Sequence, residues 1–531
     1  MAPAYSLALA LIVTAPLLAP GYLLLRDAVS TPRSQLSDAA LGLTQAAPRA
    51  LPQDFAIALL SQVIDGGVLV KLLLIGGLWL AGWGAARLVA QVLPDAGVAG
   101  QCVAATVAIW NPYVAERLLQ GHWSLLVGYG CLSWVATMML QRRYWPLAFW
   151  IALAGLTPTG LLLAAVVALV CCRGWRDIAV TSVAAAGAAL PWLVAALVAD
   201  SLSSTAGAGV AAFAARAEPG LGTLGSLAGL GGIWNAQAIP ASRTTLFALL
   251  GTAVLLAVVA VGLPAVIRRA PARPLLMLAV MAVALPAAMA TGPGMAALEA
   301  VMRAVPGLGL LRDGQKWVAL AVPGYALAAA GVARLGRSAA VVGCVALIAV
   351  LPDLAWGVAG QVRSVTYPPG WTTVAAMIDA DPRPVAVLPP DSMRQFPWAG
   401  DAPVLDPLPR WVSAEVLSSG DLVIGGQTVP GEGARGREAT QLLLNGASRR
   451  ELADAGIGWV VVESGSGALD LPVAYRDGDI TLYDIGGTAP PASGRALLIA
   501  AHVVWLMILV GAGVGALITR RRGLLLPKLR S

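Results

Sequence analysis

Charged side chains interrupt an otherwise apolar sequence at four separate places, and their types suit proton transfer beside an anion. The first is Asp27, which directly follows Arg26 at the end of an apolar run. The other three places supply Glu116, Arg117 and His122; Arg216; and Arg312, Asp313 and Lys316. A carboxylate can accept a proton from a hydroxyl group, and cationic side chains hold phosphate oxygens by charge-assisted hydrogen bonds. The residue types therefore predict a site in which an acid works beside a surplus of cations.

Hydropathy predicts the elements that position these residues. Hydrophobic residues make up 58% of the 531 residues, charged residues make up 12%, and the mean hydropathy is +0.77. This is more apolar material than one soluble core could bury, so we expect an α-helical polytopic membrane protein. A helical span needs roughly 20 apolar residues, and about twelve such runs are found. They are 5–25, 66–92, 97–115, 124–140, 145–156, 160–172, 178–199, 245–267, 274–291, 315–333, 338–358 and 496–518. The pair 145–156 and 160–172 flanks Pro158 and Gly160, which predict a broken hairpin.

The distribution of Arg and Lys predicts how the chain lies in the membrane. Basic clusters fall on alternate loops: Arg142 and Arg143; Arg173 and Arg176; Arg268, Arg269 and Arg273; Arg334 and Arg337; and the tail from Arg520. The positive-inside rule places these loops in the cytoplasm, so both termini are expected there, in a multi-pass plasma membrane protein. Asp27 and the other charged groups then lie outside. The first apolar run lacks a basic start and a small-residue cleavage site, so we expect it to be retained rather than removed as a signal peptide.

The sequence predicts three parts. Residues 1–360 form the membrane domain with external loops, 361–495 form an extracytoplasmic soluble α/β domain, and 496–531 form a final transmembrane helix with a basic cytoplasmic tail. In the soluble domain, 384–389, 456–464 and 477–487 are predicted strands, and 436–446 and 448–456 are predicted helices. The domain is expected to bind or to scaffold rather than to hold the active site. The net charge of +7 is explained by the basic loops and by membrane lipids as their partners, so no nucleic-acid partner is expected.

Several stretches resemble the GT-C superfamily of polyprenyl-phosphate-sugar-dependent glycosyltransferases. They are GYLLLRDAV, WNPYVAERLLQGHWSLLVGYG, LLRDGQKWVAL, LADAGIGWVVVE and GDITLYDIGG. They are similar to stretches of actinobacterial arabinofuranosyltransferase-like and mannosyltransferase-like members and of the YfhO-like membrane proteins. The resemblance implies transfer of a sugar from a polyprenyl-phosphate donor to an envelope glycan or glycolipid acceptor, outside the membrane and with inversion.

The resemblance also implies roles for individual residues. The acid of the first external loop acts as general base in the family, and Asp27 is the matching position. The leaving phosphate needs cations, for which the candidates are Arg117, His122, Arg216, Arg312 and Lys316. Many members carry a second acid next to the first, whereas here Arg26 takes that place; the acids open for a second role are Asp38, Glu116 and Asp313. No ligand cluster requires a metal or other cofactor, and a divalent metal is left open.

Three other functions stay open at this point. A lipid or glycan transporter or flippase would perform no covalent chemistry, although no internal repeat is visible in the sequence. A noncatalytic envelope assembly protein would tolerate loss of Asp27. An O-antigen-type polymerase or ligase would share the substrates but rely chiefly on external Arg and His.

Overall fold

The computed structural model describes residues 1–44, 50–198, 209–305, 307–424, 427–429, 431, 433–463, 469–490 and 492–525. Most of the described chain is helical. The first ten helices are α1 (Ala2–Thr14), α2 (Asp38–Leu41), α3 (Gln53–Leu60), α4 (Gly66–Val92), α5 (Gly97–Ile109), α6 (Pro112–Leu119), α7 (Trp123–Leu140), α8 (Tyr144–Ala154), α9 (Pro158–Val170) and α10 (Trp175–Val198). They are followed by α11 (Gly222–Ala228), α12 (Phe247–Gly262), α13 (Arg273–Met289), α14 (Gly292–Ala304), α15 (Val322–Ala330), α16 (Arg337–Ala349), α17 (Ala355–Gly360), α18 (Pro369–Ala380), α19 (Leu408–Trp411), α20 (Ala434–Leu444), α21 (Arg449–Asp454) and α22 (Arg495–Leu525).

Six helices among the described residues are long and apolar enough to cross a membrane. They are Gly66–Val92, Trp123–Leu140, Trp175–Val198, Phe247–Ala265, Gly314–Leu335 and Arg495–Arg520. The number rises to eight if two bent pairs each count as one span, namely α13 with α14, bent by 93°, and α16 with Pro352–Gly360, bent by 72°. The expected count of about twelve spans is therefore not confirmed.

The difference arises where apolar runs form short or bent helices. At a rise of 1.5 Å per residue, the 11 residues of α8 and the 13 residues of α9 are about 17 and 20 Å long, well short of a hydrocarbon layer of about 30 Å. The predicted break between them is observed. Pro158 begins α9, and the Thr157 side chain caps it by accepting a hydrogen bond from the Gly160 N–H at 3.0 Å.

A mixed sheet organises residues 361–495, the segment predicted to be soluble and called the soluble region below. The strands of the chain are β1 (Tyr22–Leu25), β2 (Ala28–Val29), β3 (Ser364–Val365), β4 (Val385–Leu388), β5 (Met393–Arg394), β6 (Val404–Leu405), β7 (Val416–Leu417), β8 (Leu422–Ile424), β9 (Gln427–Val429), β10 (Trp459–Glu463), β11 (Val473–Arg476) and β12 (Ile480–Asp484). The sheet has the order β11-β12-β10-β4-β7, with β4 parallel to both of its neighbours. One face packs on Trp371, Val374 and Ile378 of α18, and the other packs on Leu443 and Leu452 of α20 and α21. The strands β4, β10 and β12 and the helix α21 lie within the segments predicted for them, and α20 begins two residues before its predicted segment and ends two residues before the end of that segment.

The first long loop is joined to the soluble region through backbone hydrogen bonds. Strand β1 pairs antiparallel with both β2 and β3, which places residues 22–29 in one sheet with the start of the soluble region. The Arg26 N–H donates to the Pro403 carbonyl at 2.9 Å, and the Leu405 N–H donates to the Arg26 carbonyl at 2.9 Å. The turn that carries Asp27 is therefore held by residues that lie far away in the sequence.

The two ends of α4 show that the site residues and a basic loop lie at opposite ends of the helices. Before its first turn, Asp65 accepts a hydrogen bond from the Tyr22 hydroxyl at 3.1 Å. After its last turn, Asp95 pairs with Arg269 at 2.6 Å. Helix α4 has 27 residues and so is about 40 Å long. Asp27 and the predicted cytoplasmic Arg269 are thus separated by the full length of a span.

Candidate functional site

The turn that presents Asp27 is fixed by Arg26. Arg26 has a positive φ of 48° and is 4% exposed. Its guanidinium donates to the carbonyls of Leu119 at 2.6 Å and Gln237 at 2.7 Å. Arg26 therefore binds two carbonyl groups instead of the neighbouring carboxylate, and it ties the turn to two other loops.

A second turn lies directly against the first. Gly121, between α6 and α7, has a φ of 82°, and a Cβ atom there would lie 2.3 Å from both the Ala28 nitrogen and the Leu25 oxygen. The Asp27 N–H donates to the Gln120 carbonyl at 3.1 Å. The two backbones therefore touch, and only glycine permits this approach.

The Asp27 carboxylate has one occupied oxygen and one open oxygen. Oδ2 accepts hydrogen bonds from His122 Nε2 at 2.9 Å and from Gln120 Nε2 at 3.0 Å. Oδ1 accepts no hydrogen bond from any described residue, and 32% of the side chain is exposed. Burial raises the pKa of Asp27, but the hydrogen bonds from His122 and Gln120 and the charge of Lys316 outweigh burial and hold that pKa below its usual value. Asp27 is therefore ionised at neutral pH.

The contacts of His122 define its tautomer. Its Nδ1 lies 3.1 Å from Arg117 Nη1, and a guanidinium can only donate, so Nδ1 accepts and Nε2 carries the proton given to Asp27. If His122 were doubly protonated, its Nδ1–H and the Arg117 N–H would both be donors and could not form a hydrogen bond with each other. Burial lowers the pKa of His122, and the charges of Lys316 and Arg117 lower it further, against the opposing effect of Asp27. His122 is thus neutral at neutral pH and acts on Asp27 there through its N–H rather than through a charge.

Arg117 is enclosed, and both of its terminal nitrogens form hydrogen bonds. Its Nη1 and Nη2 donate to the two Asp313 oxygens at 2.9 and 3.1 Å, and Nη2 also donates to Gln315 Oε1. The side chain of Arg117 has no exposed surface, and that of Asp313 is 5% exposed. Arg117 and Asp313 neutralise each other, and Arg117 sets the orientation of His122 instead of facing a ligand.

Glu116 fixes the part of the network that lies away from Asp27. Its oxygens accept from the N–H groups of Gly232 at 3.0 Å and Ile233 at 3.2 Å, and from Gln315 Nε2 at 2.9 Å. Glu116 is completely buried. It therefore fastens the loop after residue 209 to α6, and it does not open onto the space beside Asp27.

Lys316 is the accessible cation next to this network. Its Nζ lies 3.6 Å from Asp313 Oδ2, and 24% of its side chain is exposed. Its charge acts on Asp27, as noted above. Arg312 lies over the Phe213 ring at 4.2 Å, and it affects Lys316 electrostatically. Lys316, with Arg312 behind it, can therefore attract an anion that reaches Asp27.

Two predicted residues lie apart from this centre. Arg216 donates its backbone N–H to the Gly232 carbonyl at 2.9 Å, and its charge acts on Glu218, which is paired with Arg243. Asp38 pairs with Arg495 at the start of α22. The structure thus gathers Asp27, Glu116, Arg117, His122, Asp313 and Lys316 into one contiguous network, and it brings neither Arg216 nor Asp38 into contact with Asp27.

Sequence reasoning missed two residues that complete the network. Gln120 donates to Asp27, and Gln315 bridges Arg117 and Glu116. Both lie inside stretches already singled out, QGHW and RDGQKW, but as uncharged amides they gave no electrostatic signal. Their position directly beside charged residues is the signal that could have identified them.

No group of three or more His, Cys, Asp or Glu side chains is placed to hold a metal ion within the part of the chain that the structure describes. Comparison of the sequence with protein-family models and curated proteins, and of the structure with solved structures, gives no match.

Proposed function

We propose that this chain is a membrane glycosyltransferase that moves a sugar from a polyprenyl-phosphate donor to an envelope glycan or glycolipid, with Asp27 as general base. The observation that carries the proposal is the Asp27 carboxylate itself. It is ionised, its Oδ2 is held by two N–H donors, and its Oδ1 is open beside an accessible lysine.

The chemistry assigns one task to each group. An acceptor hydroxyl hydrogen-bonds to Asp27 Oδ1, its oxygen attacks the anomeric carbon, and its proton passes to Oδ1 as the new C–O bond forms. The bond from the anomeric carbon to the phosphate oxygen breaks, and the electron pair leaves with the polyprenyl phosphate. Lys316, with Arg312 nearby, stabilises that developing charge. Attack from the side opposite the phosphate inverts the anomeric carbon.

The surrounding network keeps the base in position. His122 and Gln120 fix Oδ2, so the open oxygen points in a defined direction, and Arg117 fixes His122. Arg117 and His122 are positioning residues in this proposal, and phosphate binding is assigned to Lys316 and Arg312. A site outside the membrane also favours a lipid-linked donor, because nucleotide sugars are cytoplasmic.

The test is sugar transfer in membranes that contain the full chain. Radiolabelled decaprenyl-phosphate sugars are offered with cell-wall acceptors, and the wild type is compared with Asp27→Asn. The amide cannot take the proton, so transfer is expected to fall by about 10²- to 10⁴-fold at equal expression.

Asp95→Asn is the matched control. Asp95 is likewise an acid held by a side-chain donor, Arg269, but it lies at the other end of α4. We expect this variant to keep full transfer activity. Unchanged transfer by Asp27→Asn would refute the general-base role and favour a transporter or a noncatalytic assembly protein.

A further inference from the structure

A cavity of about 240 Å³ lies between the first long loop and the soluble region. Its walls come from residues within 29–44 and 50–57 of the loop, from the start of α7, and from α19, β7 and α20 of the soluble region. The volume is somewhat smaller than the roughly 300–1,000 Å³ of typical small-molecule sites. It therefore suits a single compact unit rather than a long chain.

The cavity begins close to the proposed base. Val29 lines it and is two residues from Asp27, which limits the distance between their Cα atoms to about 7 Å. Trp123 also lines it and directly follows His122. Asp27 is not part of the lining, so the cavity lies beside the turn that carries Asp27, and a ligand longer than the cavity can extend toward the carboxylate.

The charges of the lining cancel. Arg410 Nε binds Asp54 Oδ1 at 3.1 Å, and Arg435 Nη1 binds Glu415 Oε2 at 2.7 Å. Two arginines face two acids, so the lining offers no net charge to a phosphate or a carboxylate. A neutral ligand fits this balance better than an anion.

Unused hydrogen-bonding groups remain on the same lining. Arg410 Nη1 and Nη2, Asp54 Oδ2 and Gln53 Oε1 form no hydrogen bond with any described residue. Gln53 lines the cavity, so its amide oxygen is available to accept a hydrogen bond from a ligand there. Adjacent donors and acceptors next to an aromatic ring, Trp123, match the hydroxyl groups and the apolar face of a sugar.

We propose that this cavity binds a neutral sugar unit of the acceptor and presents one of its hydroxyl groups to Asp27. The identification of this sugar as the acceptor rests on the proposed glycosyltransferase function. The binding of sugar is a separate claim and can be measured without catalysis.

The experiment measures binding to the purified full chain carrying Asp27→Asn, which prevents turnover. The probes are neutral trisaccharides of mannose, galactose or arabinose, with inorganic phosphate as the anionic comparison, and the readout is titration calorimetry. At least one trisaccharide is expected to bind, and adding Asp54→Asn or Arg410→Gln is expected to weaken it by about tenfold or more, because each removes a charged partner. Asp381→Asn is the control, since Asp381 pairs with Arg383 Nε at 2.8 Å outside the cavity.

A second variant guards against misfolding. Ala39→Leu places extra atoms on the cavity wall without removing a hydrogen bond, so it should also block the trisaccharide. Its thermal unfolding midpoint is compared with that of the parent. In transfer assays with the active chain, both Asp54→Asn and Ala39→Leu should raise the KM for the acceptor more than they lower kcat.

The outcomes separate this proposal from the general-base role. Trisaccharide binding that is unaffected by Asp54→Asn and Ala39→Leu, phosphate bound in preference to every trisaccharide, or no trisaccharide binding to a chain that transfers sugar would overturn the cavity assignment. Unchanged transfer by Asp27→Asn would instead overturn the base and leave sugar binding in the cavity standing.

Discussion

Four side chains at the site form a continuous line of hydrogen bonds. Asp27 is bonded to neutral His122, His122 to Arg117, and Arg117 to Asp313. Arg117 is paired with Asp313, and Arg26 binds two carbonyl groups, whereas Lys316 is an accessible cation near Asp27. The line of hydrogen bonds fixes the position of the base.

The tautomer of His122 leads to a prediction about pH. His122→Gln keeps a donor for Asp27 and an acceptor for Arg117 but does not titrate. In the wild type, the pKa of His122 is lower in the folded chain than its ordinary value of 6.5. The unfolded chain therefore binds more protons between these two values, and the stability of the wild type should fall as pH drops below 6.5.

Thermal unfolding at about pH 7.5 and about pH 5.5 tests this dependence. The unfolding midpoint of His122→Gln should decrease less than that of the wild type, while other titrating groups are common to both chains. The pKa of Asp27 is shifted below its usual 3.8, so the stability that Asp27 contributes is lost only at more acid pH and does not enter this window. An equal decrease for both chains would show that His122 is not held neutral.

The sequence indicated most of the charged residues that converge, with Arg216 as an exception, but not how they pair. The grouping of Asp27 with residues near 116–122 and 312–316 followed from topology alone. The pairing of Arg117 with Asp313, 196 residues away, was not predictable, because hydropathy gives no angle of one loop against another. Arg117 was thus expected to bind phosphate, whereas in the structure it is buried and paired with Asp313.

At the scale of elements, the contact between the Asp27 turn and the α6–α7 turn is tightly constrained. Gly121→Ala would introduce a Cβ atom 2.3 Å from backbone atoms of residues 25 and 28. The Asp27 turn must then move relative to His122. We expect a loss of transfer on the order of 10²-fold, since misplacement by about 1 Å can cost that much.

Gly446→Ala is the control for backbone strain. Gly446 also has a positive φ, 70°, but a Cβ atom there meets nothing within 4 Å. Both variants should lose stability by about 1–2 kcal/mol from the unfavourable φ, and only Gly121→Ala should lose activity. Equal transfer rates in the two variants would contradict a tight approach of the two turns.

Elements were predictable where local pattern and turn chemistry agree. The strands β4 and β10 are short apolar runs bounded by turn residues, and α21 ends before Gly456, which has a φ of 80°. The span count was not predictable in the same way. Hydropathy measures the length of an apolar run, and it does not register the 93° bend between α13 and α14.

For the whole molecule, the separation of the site from the basic loops predicts that the two lie on opposite sides of the membrane. Arg33→Cys and Arg143→Cys each place a thiol at an exposed position, the first in the loop that carries Asp27 and the second beyond the end of α7. A membrane-impermeant maleimide added to intact cells should label position 33 at once. Position 143 should react only after the membrane is opened.

The unsubstituted chain supplies the background for this labelling. Its five cysteines are buried or partly buried, so their reaction should be slow. Labelling of position 143 rather than 33 in intact cells would place Asp27 in the cytoplasm. Nucleotide sugars are present there, so the argument for a lipid-linked donor would fail.

The joining of the first loop to the soluble region also bears on biosynthesis. The Tyr367 hydroxyl donates to the Ser30 carbonyl across 337 residues, so the two groups emerge from the ribosome far apart in time. At about 5–20 residues per second, the interval is about 17–70 s. The earliest translated residues of the site therefore lack this partner until about two thirds of the 531 residues have been made.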